Sequence, residues 1–115
     1  MSNSPELVIA ITTVDTAERA EELAAELIRR RLAACVQIDG PITSHYVWEG
    51  KAERSAEWRL SIKSTEARLE DLQRAAHDQH PYSLPQWIVI RPADASAAYA
   101  EWVEQAVRPD PGISP

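Results

Sequence analysis

The chain opens on a continuous apolar run, Leu7-Val8-Ile9-Ala10-Ile11, which predicts a strand over Glu6 to Thr13 set in the middle of a sheet or covered on both faces. Asp15-Thr16-Ala17-Glu18 then reads as a capping box, with Asp15 as the acceptor and Glu18 reaching back. Ala17, Ala20, Leu23, Ala24, Leu27 and Ile28 follow at helical spacing, and Arg29-Arg30-Arg31 closes the helix where cations suit its dipole. Leu32 to Ile38 reads as the next strand, interrupted by Asp39-Gly40-Pro41 and resumed from Ile42 to Trp48. Glu49-Gly50-Lys51 is a turn, and Glu57 to Lys63 alternates, with Trp58, Leu60 and Ile62 on one face and Arg59, Ser61 and Lys63 on the other. Ser64 or Thr65 can cap a second helix with an apolar stripe at Leu69, Leu72, Ala75 and Ala76, running to about Gln79 and stopped by Pro81. Trp87-Ile88-Val89-Ile90 is a short strand. A last helix starts at Asp94 or Ser96 and is expected to turn Tyr99, Trp102, Val103 and Ala106 inward.

The order β-α-β-β-α-β plus a C-terminal helix is the split βαβ pattern of an α+β, ferredoxin-like fold: a four-stranded antiparallel sheet with two helices on one face. The hairpin between the second and third strands is longer than such a sheet needs. Its projecting arms carry Tyr46, Val47, Trp48 and Trp58, so pairing with another subunit is favoured over a floppy surface ribbon.

Composition narrows the function. With 115 residues the chain is one domain, expected over residues 6–107, with little regular structure in residues 1–5 and in the Pro-rich tail 108–115. Twelve basic and 18 acidic residues give a formal charge of −6, which with the absence of Phe argues against nucleic acid. No apolar run reaches a membrane span, and the first residues lack a signal-peptide pattern. One cysteine, Cys35, excludes an internal disulfide and points to the cytoplasm. One cysteine and three histidines do not by themselves fill a closed four-ligand zinc site. No nucleophile elbow, P-loop or dinucleotide fingerprint occurs, so an enzyme is not expected.

Leu32-Ala33-Ala34-Cys35-Val36, Tyr46-Val47-Trp48-Glu49-Gly50-Lys51, Ile62-Lys63-Ser64 and His80-Pro81-Tyr82-Ser83-Leu84-Pro85, in this order and spacing, resemble the CutA family of divalent-cation tolerance proteins. The resemblance covers about residues 6 to 107. It implies a ferredoxin-like homotrimer with the long hairpins packed between subunits, and Tyr46, Trp48 and Trp58 at the interface. It also implies a part in divalent-metal tolerance, with Cu2+ or another divalent cation bound but not obligatory. Metal-binding members of the family are described with a first-strand cysteine and a His-His pair before Pro-Tyr; here Ile11 and Gln79 stand at the corresponding positions, so His80 alone remains.

Read one by one, the candidate residues stay double-valued. Cys35 is a small buried hydrophobe or a soft metal ligand. His80 is a hydrogen-bonded helix-end histidine, a metal ligand or a cleft-lining group, and Gln79 is a weak ligand at best. His77 can share a helix face with His80, or be solvated. His45 sits on the hairpin. Glu49 and Lys51 flank the turn and, with Lys63, Tyr82 and His80, are expected to line an inter-subunit cleft for a small anion or a carboxylate-bearing ligand if a neighbour covers them. The four tryptophans, at 48, 58, 87 and 102, are expected in core or interface. The leading expectation is a trimeric binding or scaffold protein of the copper response; the other is a trimeric small-molecule sensor that signals to a partner.

Overall fold

The computed structural model describes residues 6–109; the expectations for residues 1–5 and for the tail beyond residue 109 lie outside it. The element order is β1 (Leu7–Val14), α1 (Ala17–Arg29), β2 (Cys35–Trp48), β3 (Lys51–Thr65), a single 3-10 turn (Glu66–Arg68), α2 (Leu69–Asp78), β4 (Ile88–Ile90) and α3 (Ala97–Val107). The four strands form one antiparallel sheet in the order β2-β3-β1-β4, the ferredoxin-like arrangement.

Alternation along β1 decides the layers. Val8, Ala10, Thr12 and Val14 are buried, and their β3 partners Ser64, Ile62, Leu60 and Trp58 lie in the same rows. This side packs against Ala20, Leu23 and Leu27 of α1 and Leu72 and Ala75 of α2. The other side presents Ile9, Ile11, Ile88, Ile90, Lys63 and Cys35. Helix α3 lies on that second side, where Tyr99 stands beside Cys35; burial, and secondarily that thiol, raise the Tyr99 hydroxyl pKa.

Several local expectations change. The cap of α1 is Thr16, whose hydroxyl accepts from the Arg19 amide at 3.1 Å, while Asp15 instead pairs with Arg19 at 3.6 Å. The helix ends at Arg29, and Arg31 turns the chain at φ 58°. The Leu32 amide then bonds the Leu27 carbonyl and the Arg31 amide the Ile28 carbonyl, a Schellman closure that buries Leu32. Leu32 and Ala33 are thus the end of the turn, and β2 starts at Cys35.

Gly40-Pro41, joined by a cis peptide, does not break β2 but makes a bulge between Asp39 and Ile42 in one long ladder. The β3 arm runs back to Lys51, well before Glu57. Thr65 gives no side-chain cap, and the Ser64 hydroxyl is buried and donates to the Leu32 carbonyl at 2.7 Å. Trp87 precedes β4 and packs against the core. Ser96 caps α3 through the Tyr99 amide.

The largest departure concerns aromatic side chains. Tyr99 and Trp102 were expected inward, but they stack on each other at 5.7 Å and are 40% and 49% exposed; Val103 is buried as expected, with Ala100 and Val107 facing in beside it. Trp58, on the core-facing row of β3, is partly buried against this protomer's core and lies over Gly40.

Candidate functional site

The end of α2, the loop from Pro81 to Gln86 and the start of the hairpin converge beside the end of β1. His80 follows α2 directly and is half-buried there. Its Nε2 lies 2.9 Å from the Thr13 carbonyl and 3.1 Å from the Thr12 hydroxyl, and the Tyr82 amide donates to its Nδ1 at 3.1 Å. A carbonyl only accepts and an amide N–H only donates, so the ring is the neutral Nε2–H tautomer. Desolvation holds its pKa below the ordinary histidine value, against the carbonyl bond to Thr13. The Tyr82 ring meets the imidazole edge-on at 4.9 Å, and its hydroxyl donates to Glu57 at 2.9 Å. Burial, then that carboxylate, push the Tyr82 phenol well above its usual range.

These contacts form one wall of a groove of about 880 Å³ between the hairpin and the loop. Ile42, Trp48 and Leu84 give it apolar surface, and Glu57, Arg59 and Tyr82 give it charge and hydroxyl chemistry. Arg59 is fixed by Asp39 at 3.0 Å. His45 and Tyr46 also line it, with the Tyr46 hydroxyl 3.3 Å from that of Ser55.

Of the residues expected to line an inter-subunit cleft, Tyr82 lies in this groove and His80 supports it from behind; Tyr46 and Trp48, expected at the subunit interface, line it too. Glu49 and Lys51 stand exposed at the hairpin tip, and Lys63 contacts Gln37 on the α3 side of the sheet, beside Cys35. They do not join Tyr82 within one protomer. His77 does not share a site with His80: its Nδ1 is 2.9 Å from the Gln73 carbonyl, and its ring packs edge-on against Trp87 at 5.5 Å. Glu57, Arg59 and the Thr12-Thr13 pair were missed. The alternation around Trp58 places Glu57 and Arg59 together on the polar face, a signal that reads equally as a solvated edge.

A resident metal does not fit the candidate ligands. His80 has its Nε2 protonated and its Nδ1 lone pair on the Tyr82 amide. Its partner Thr12 belongs to the helix-side row of the sheet and Cys35 to the opposite row, and Gln79 is exposed at the end of α2. Among the described residues no group of three or more His, Cys, Asp or Glu side chains is placed to hold an ion.

Against known families, residues 8–106 match the model described as CutA1 divalent ion tolerance protein. The chain belongs to the CutA1 family. It is 31% identical over 104 residues to the divalent-cation tolerance protein CutA of Citrobacter koseri, covering 90% of each chain. It is 35% identical over 101 residues to the chloroplastic protein CutA of Arabidopsis thaliana, covering 88% of this chain and 56% of that one. Among solved structures, CutA1 from Oryza sativa superposes with a TM-score of 0.88 at 34% identity, covering 93% of this chain and 98% of that one. CutA from Synechococcus elongatus gives 0.86 at 38%, covering 91% and 93%. The CutA1 chain is thus a divalent-cation tolerance protein by family, with the ferredoxin-like sheet its resemblance implied. No helix among its described residues is long and apolar enough to cross a membrane.

Proposed function

We propose that this CutA1 chain serves divalent-cation tolerance as a cytoplasmic, non-enzymatic binding scaffold of three copies, which takes a small polar ligand in the groove beside His80. The observation that carries this reading is the contrast between the two candidate sites. The His80 ring spends both nitrogens inside the protein, whereas the groove next to it is open and lined by Glu57, Tyr82 and Trp48. Assembly is supported by exposed apolar surface: Ile88 and Ile90 on β4 are 49% and 44% exposed, and Tyr99 and Trp102 on α3 are exposed as well. A surface of that kind is stable when a second copy covers it, and a closed ring of copies also protects the projecting hairpin.

The test is mass spectrometry of small molecules released from natively purified protein. A compound released from the parent and depleted in Glu57→Gln and Tyr82→Phe is the expected result. Stoichiometric copper binding that disappears in His80→Ala overturns this reading in favour of a resident copper centre.

A further inference from the structure

We infer that His80 is a positioning residue: as the neutral Nε2–H imidazole it latches the 81–86 wall of the groove to β1, and protonation releases that latch. Two short contacts made by one ring tie three parts of the chain together. Nε2–H reaches the end of β1 at Thr13, and Nδ1 accepts from Tyr82, two residues along the loop. Tyr82 in turn lies against the ring and holds Glu57 of β3 through its hydroxyl. The imidazole thereby sets where the Tyr82 phenol stands, and the phenol sets the orientation of the groove's carboxylate.

Protonation reverses the polarity of one contact only. A proton on Nδ1 points a donor at the Tyr82 N–H, 3.1 Å away, so the imidazolium must give up that contact, while Nε2–H keeps Thr13. The loop side of the latch is the side that opens. The charged and titratable groups facing the ring come from every neighbouring element. Asp15 in the β1–α1 turn and Glu57 on β3 favour the imidazolium; His77 on α2 and burial oppose it. Tyr82, on the ring's own loop, is protonated and neutral throughout the relevant range.

The functional consequence, a groove that loses its wall in acid, rests on the binding role proposed above. The latch itself is testable without any ligand, so the two can fail separately. The experiment uses the full chain with 15N-labelled histidine. Long-range proton–nitrogen spectra at about pH 7.5 should show His80 with Nε2 protonated and Nδ1 as a lone-pair nitrogen. Protection of the Tyr82 amide from hydrogen exchange, corrected for its intrinsic rate, should fall severalfold, up to about tenfold, on going to about pH 5.5. In His80→Asn the side-chain oxygen can stand where Nδ1 stood, so the amide should stay protected and its pH dependence should vanish. An Nδ1–H tautomer or an imidazolium at neutral pH in the parent chain overturns the inference without reference to any variant. So does an unchanged acid loss of protection in His80→Asn. Groove binding that fails while these signatures hold removes only the ligand reading.

Discussion

Gly40 and His80 show how one side chain, or the lack of one, sets its surroundings. A Cβ on Gly40 would lie 2.3 Å from Cδ1 of the Trp58 indole, inside the van der Waals surface of a ring packed on the core. Gly40→Ala should therefore cost about 1–3 kcal/mol through overpacking, read as a lowered denaturant midpoint. A change near zero would mean the indole can move aside. His80 carries a pH dependence with a definite sign. Its folded pKa is depressed, so its contribution is complete above the unfolded value of about 6.5 and declines as pH falls below it. Denaturant unfolding at several pH values should show that decline in the parent chain and a weaker one in His80→Asn. The sequence alone left His80 between ligand, cleft and helix-end roles. What decides among them is a carbonyl and a hydroxyl on β1, 67 and 68 positions away, which no local spacing records.

At the scale of elements, periodicity carried most of the reading and special backbone positions accounted for its errors. The alternation of Glu57 to Lys63 in β3 and the helical stripes of α1 and α2 identified the core layer, with Leu27, Leu60 and Leu72 fully buried in it. Boundaries moved where backbone geometry overrode composition. Arg31 takes a left-handed conformation and closes α1 where a glycine would be usual, and Gly40-Pro41 is absorbed as a bulge rather than a break. The hairpin turn was legible because Glu49 and Gly50, at φ 49° and 78°, form a two-residue turn of the primed kind between Trp48 and Lys51. Gly50 is needed for its conformation and not for space, since nothing lies within 4 Å of a Cβ placed there. Gly50→Ala should cost about 1 kcal/mol or slightly more, from left-handed strain alone. Thermal unfolding measures it, and a much larger loss would show that the tip is packed in the assembly.

For the whole molecule, the misread aromatics are the most informative. Tyr99 and Trp102 follow helical spacing as a core stripe would, yet they lie on the outer side of α3, 40% and 49% exposed. Hydrophobic spacing registers that a residue will be covered, not whether its own chain or another copy covers it. The elongated envelope, 48 × 33 × 21 Å, has the same origin, since two arms of 14 and 15 residues extend past an eight-residue β1. Ile88→Asp places a charge on the exposed β4 edge of the sheet and should dissociate the proposed trimer while leaving the far-ultraviolet spectrum of the fold in place. Light scattering that still reports the parent mass would remove this side of the sheet as the contact. The account as a whole is tested most directly by native mass spectrometry of the purified chain with one equivalent of Cu2+ per protomer. It predicts a particle of three chains without a stoichiometric copper ion dependent on His80. A single chain, or a copper adduct of one ion per protomer that His80→Ala abolishes, would contradict it.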